Sequence, residues 1–92
     1  MKVNFNQSFK DFKGNEIGVM ISDEIGKVLF NLSTSNKTPL SADEKYMAYK
    51  LCNKVCGESA EISAEESAFI LRVSGEFLTA GAYGQIRDLI DG

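Results

Sequence analysis

Apolar residues fall at helical spacing in four stretches of the chain and at alternate positions near its start. The clearest stretch runs from Leu40 to Gly57. Ala48, Leu51 and Val55 follow the i, i+3, i+4 pattern, with Cys52 and Cys56 beside them. Ser41 and Glu44 form a capping box, each side chain reaching the other's backbone N–H. Asp43 and Glu44 sit at the positive end of the helix dipole, and Lys50 and Lys54 lie towards the other end. Gly57 is placed to be the left-handed residue that stops the helix. Tyr46, Met47 and Tyr49 widen the apolar face beyond one stripe.

A second helix begins at Ser22, read as its N-cap, with Asp23 and Glu24 in the first turn. Its stripe is Ile25, Val28, Leu29 and Leu32, with Phe30 on a flank. Ser33 to Pro39 reads as a polar helix–helix loop, because its serines and Asn36 compete for backbone partners. Ser63-Ala64-Glu65-Glu66 is another capping box, followed by Phe69, Ile70, Val73 and Phe77. Gly75 predicts an end or kink there, and Arg72 and Glu76 form an i, i+4 pair. Thr79 is a candidate cap for a last helix carrying Ala82, Tyr83, Ile86, Leu89 and Ile90. Gly81 and Gly84 are small enough to let another helix approach closely.

Val3 and Phe5 alternate with polar residues, and so do Ile17, Val19 and Ile21 with Gly18 and Met20. Lys13-Gly14-Asn15-Glu16 is a turn signal between them. These two strands are expected to pair as a hairpin lying on the helices. The predicted fold class is therefore α+β, mostly α: about four short helices with a short N-terminal β-hairpin. Residues 1–92 form a single small domain, with 1–21 the hairpin region and 22–92 the helical region. The helices are expected near 22–33, 41–56, 63–75 and 80–90. The expected core is Phe5, Ile21, Ile25, Leu29, Leu32, Leu51, Val55, Phe69, Ile70, Val73, Ile86 and Leu89.

Charge divides the chain. The net charge is −3, but residues 1–57 carry eight lysines against six acids and residues 58–92 carry two arginines against seven. An acidic second half argues against a phosphate backbone binding there. It also invites comparison with nucleic acid mimicry, although acids at helix starts are explained by the dipole. No apolar run approaches the ~20 residues that span a bilayer, and the first residues lack the apolar core of a signal peptide. The expectation is a cytoplasmic protein with no membrane contact. Cys52 and Cys56 lie four apart on one helix, poor geometry for a disulfide, and read as two small buried thiols.

The chain has no histidine and no tryptophan, and its carboxylates cluster at helix starts. That composition predicts neither an enzyme nor a metal or cofactor site. Two surfaces remain as candidates. Phe30, Tyr46, Met47, Tyr49 and Tyr83 are apolar positions that the stripes do not all need, and Tyr and Met suit protein interfaces. Lys2, Phe9, Lys10, Phe12 and Lys13 interleave basic and aromatic residues, which can stack bases and pair phosphates.

The order of Phe9-Lys10-Asp11-Phe12-Lys13-Gly14-Asn15, Ile25-Gly26-Lys27-Val28-Leu29, Lys45-Tyr46, Tyr49-Lys50-Leu51 and Ala82-Tyr83-Gly84-Gln85-Ile86 resembles small bacteriophage and prophage proteins. The resemblance implies a phage or prophage origin and a small accessory role, and it carries no functional residues with it. The expected function is a non-enzymatic protein-interaction module that binds another protein, with a homodimer compatible. The alternative is a nucleic-acid binder using the lysine- and phenylalanine-rich N-terminal region.

Overall fold

The computed structural model describes residues 1–92 and shows an α+β fold that is mostly helical. Helices α1 (Ile21–Phe30), α2 (Ala42–Val55), α3 (Ala64–Phe77) and α4 (Ala80–Asp91) surround the core. Strands β1 (Lys2–Val3), β2 (Ser8–Lys10), β3 (Glu16–Met20), β4 (Thr34–Ser35), β5 (Thr38–Pro39) and β6 (Ala60–Glu61) are short. They make three antiparallel two-stranded sheets, β1–β6, β2–β3 and β4–β5.

Both capping boxes form. Glu44 N–H donates to Ser41 Oγ and Ser41 N–H to Glu44 Oε1, each at 3.2 Å. Glu66 N–H donates to Ser63 Oγ at 3.1 Å and Ser63 N–H to Glu66 Oε1 at 2.9 Å. Thr79 caps α4, accepting from Ala82 N–H. Ser22 does not cap α1. The helix starts at Ile21, its N-cap Met20 offers no side-chain bond, and Ser22 is buried with its hydroxyl on Asn6 Oδ1. Gly57 is not left-handed either; only Gly14 and Gly18 among the glycines have positive φ.

The hairpin differs from the sequence reading in its partner strand. Lys2–Val3 does not pair with Glu16–Met20. It pairs with Ala60–Glu61 of the α2–α3 connection, in the register Lys2↔Glu61 and Val3↔Ala60. The hairpin is instead β2–β3, turning at Gly14, whose φ is +90°. Its register pairs Ser8 with Met20 and Lys10 with Glu16, so Phe9 alone opposes Ile17, Gly18 and Val19. Gly18, at φ +77°, makes this bulge possible.

The Ser33–Pro39 loop is itself a hairpin, β4–β5. Asn36 and Lys37 have φ of 52° and 63°, the positive pair that a type I′ turn demands. Lysine resists that conformation, and Glu76 offsets the cost. Its carboxylate accepts from Ser35 Oγ at 2.8 Å and from Asn36 N–H at 2.9 Å. Glu76 therefore does not pair with Arg72, which reaches Glu44 Oε2 at 3.4 Å. Helix α3 also continues past Gly75 to Phe77. A Cβ at Gly75 would stand 3.4 Å from the Tyr83 ring, so this glycine marks α3–α4 contact and not a helix end. Gly81 and Gly84 have no such neighbour.

Ten of the twelve expected core residues are buried; Leu32 and Leu89 are half-buried and pack against the cluster. Val3, Phe9, Ala48, Cys52, Ala60, Ile62 and Ile90 complete it. Cys52 is buried, which pushes its thiol pKa up, whereas Cys56 is exposed and both are free.

Three carboxylates titrate below the usual range. The Ser41 backbone N–H does this for Glu44, and the Asn36 N–H followed by the Ser35 hydroxyl for Glu76. Burial pulls Glu66 upward, but the Ser63 N–H and Lys54 at 2.9 Å outweigh it. A depressed folded-state pKa stabilises the fold above the unfolded value of about 4.3 and ceases to do so as pH falls through the folded value. Melting by circular dichroism should show the midpoint falling on acidification from about pH 5 to about pH 3. The triple variant Glu44→Gln, Glu66→Gln, Glu76→Gln should melt lower at neutral pH and show a shallower acid dependence. Urea unfolding should separate two glycines. Gly18→Ala should cost about 1–2 kcal/mol through its positive φ. Gly26→Ala, helical and facing open space, should gain about 0.5–1 kcal/mol.

Candidate interaction surface

In the β2–β3 hairpin only Phe9 is buried. Phe9 points into the core at 4% exposure, and Lys10 and Phe12 flank it on the surface. Ile17 and Val19, either side of the bulge at Gly18, are exposed at 51% and 39%. Phe12, at the turn, is 96% exposed. Across from them lies the end of α3, where Phe77 is 49% exposed although it continues the helix's apolar stripe.

Between hairpin and helices runs a groove of about 510 Å³. Phe9, Phe12, Ile17 and Val19 form the hairpin wall. Phe77, Leu78, Ala82 and the α4 start form the other, with Glu24 of α1 at the rim. Gln85 fastens the two walls. Its Oε1 accepts from Lys10 N–H at 2.8 Å and its Nε2 donates to Lys10 O at 3.0 Å and Gly81 O at 3.0 Å. One amide side chain thus covers the outer edge of β2, where a further strand would otherwise pair. The charged groups at the groove are Lys10, Asp11 and Glu24. Asp11 is engaged in its own turn, accepting from Lys13 N–H and Asn15 N–H.

The residues singled out from sequence fall in different places. Tyr46 and Tyr49 are exposed and stacked at 6.4 Å, with Lys50 Nζ 5.0 Å from the Tyr46 ring centre. Phe30, 68% exposed, lies elsewhere, beside a smaller α1–α2 depression with Cys52, Asn53 and Cys56. Met47 is half-buried against the core. Tyr83 is half-buried over Gly75 and serves α3–α4 packing. These five do not form one surface. Of the basic–aromatic set, Lys10, Phe12 and Lys13 share the hairpin, with Lys13 Nζ 5.7 Å from the Phe12 ring centre. Phe9 is a core residue, not a free ring. Lys2 sits on β1, directly opposite Glu61.

Ile17, Val19, Phe77 and Gln85 were not singled out as site residues from the sequence. The first three look like core by periodicity, and only their lack of a covering element distinguishes them. No group of three or more Cys, Asp or Glu side chains is placed to hold a metal ion. No helix is long and apolar enough to cross a membrane. Comparison with protein-family models, curated proteins and solved structures finds no match.

Phe9 and Phe12 should behave differently in chemical denaturation. Phe12→Ser should change stability by less than about 0.5 kcal/mol, as expected of a bare surface site. Phe9→Ala should cost about 3–5 kcal/mol through the cavity it leaves.

Proposed function

We propose that the protein is a small non-enzymatic interaction module that binds another polypeptide through the groove between the β2–β3 hairpin and the α3–α4 corner. The observation that carries this reading is the run of exposed apolar side chains, Phe12, Ile17, Val19 and Phe77, along one groove. Isolated exposed apolar residues are ordinary on a protein surface, but a contiguous set lining a concavity is a recognised mark of association. The groove supports binding better than catalysis. Its few charged groups lie at the rim, one of them held in a turn, and no nucleophile stands beside a base. An accessory role in a phage or prophage setting rests on the resemblance of the sequence layout.

The contact surface therefore shifts from Phe30, Tyr46, Met47, Tyr49 and Tyr83 to the hairpin groove. The stacked Tyr46–Tyr49 pair remains a separate exposed feature on α2. Nucleic-acid binding is the weaker reading, because Phe9 is enclosed and Asp11, Glu16 and Glu24 dilute the field of Lys10 and Lys13.

The test is affinity capture from bacterial lysate with nuclease present, comparing the wild-type chain with Val19→Asp and Phe77→Asp. A protein retained by wild type and lost from both variants is the expected result. Capture that vanishes with nuclease, or that ignores both substitutions, would sink the groove as the binding surface.

A further inference from the structure

We propose that the polypeptide seated in this groove is a second copy of the same chain, related by a two-fold axis that exchanges the two Phe12 rings. The inference rests on the reading of the groove as a binding surface. Its basis is that one face carries both a knob and a hole. Phe12 stands at the groove's own rim, yet 96% of it is exposed. Its ring faces solvent beside the apolar concavity that it lines. A two-fold pairing needs the same patch to be complementary to itself, and a knob next to a hole meets that condition.

The charges around the ring point the same way. Lys10, Asp11 and Lys13 border Phe12, and none of the three forms an ion pair within its own chain. Asp11 Oδ1 is held in its own turn, but its Oδ2 takes no hydrogen bond, so both signs on one hairpin let that oxygen face Lys10 or Lys13 of the other copy. The wall opposite the hairpin adds the N-terminus of α4, whose first turn contains no acid. An incoming Asp11 would meet the positive end of that helix. A strongly basic or acidic partner would gain less from a rim of mixed sign.

Strand addition does not explain the surface as well. The outer edge of β2 is already occupied by Gln85, and the bulge at Gly18 twists β3. Contact therefore runs through side chains. The area sets the strength. Phe12 and Phe77, at 96% and 49% exposure, present roughly 300 Å² between them in each copy. Ile17 and Val19 add to that, but the total stays near the small end of specific interfaces. The dimer is accordingly weak and reversible, with a Kd between about 10 µM and about 1 mM.

Sedimentation velocity over protein concentrations from about 10 µM to about 1 mM tests this directly. The wild-type chain should shift from monomer to dimer across the range. Phe12→Asp, at a site too exposed to affect folding, should raise the Kd at least about tenfold. Tyr46→Asp, on α2 away from the groove, should leave it unchanged. A wild-type chain still monomeric at the highest concentration overturns the second-copy proposal. A dimer that ignores Phe12→Asp, or that is lost in Tyr46→Asp, overturns it too. If the chain stays monomeric while capture of another protein still depends on Val19 and Phe77, the binding-module reading survives alone. Loss of both results removes both.

Discussion

The Phe5 ring is fully enclosed, and its carbonyl oxygen accepts the N–H groups of Gln7 and Ser22 at 2.9 Å each. Ring and carbonyl together join the N-terminal segment to the start of α1. Truncating such a ring typically costs about 3–5 kcal/mol, against a total stability of about 5–15 kcal/mol for a small domain. The bonds at its carbonyl also set direction. They hold the first turn of α1 beside the segment that leads into β2. Ile21 N–H, bonded to Gln7 O at 2.8 Å, continues the same alignment. The hairpin must then leave the core at a fixed angle.

The clasp on the other side of Phe5 explains why β1 chooses β6. Val3 is buried, and so are its partner Ala60 and the adjacent Ile62. Ile62 N–H donates to Met1 O at 2.8 Å, which extends the pairing by one more bond. The connection between α2 and α3 is thereby stitched to the start of the chain. Lys54 and Glu66 brace the two helices across the same connection. The β4–β5 hairpin is tied to α3 by Glu76 in a comparable way, one carboxylate holding two turn groups. The first segment is fixed by buried apolar residues and backbone bonds, the second by a polar side chain.

The groove is a consequence of this arrangement. The hairpin spends Phe9 on the core and has no element covering Ile17 and Val19 beside it. Gln85 ties it to α4, since its amide bonds Lys10 on one side and Gly81 on the other. Ile17, Val19 and Phe77 are left on opposite walls of a gap. A domain of this size has few elements with which to cover such a face, so exposed apolar surface is either a liability or a contact.

The helices were legible because their signals are local. Ser41 with Glu44, and Ser63 with Glu66, announce helix starts within four residues, and the stripes behind them mark the buried sides. Gly14 declared its turn for the same reason. What the sequence misassigned depended on distant partners. Alternation at Val3 and Phe5 showed which side chains turn inward, but not that β1 would pair with Ala60–Glu61. Gly75 looked like a breaker until the Tyr83 ring covered it, and Ser22 looked like a cap until Asn6 took its hydroxyl. Ile17, Val19 and Phe77 carry core periodicity and are nonetheless bare. Periodicity records which residues share a face. Whether that face is covered depends on how many elements the whole chain can bring to it, and that only the packed fold decides.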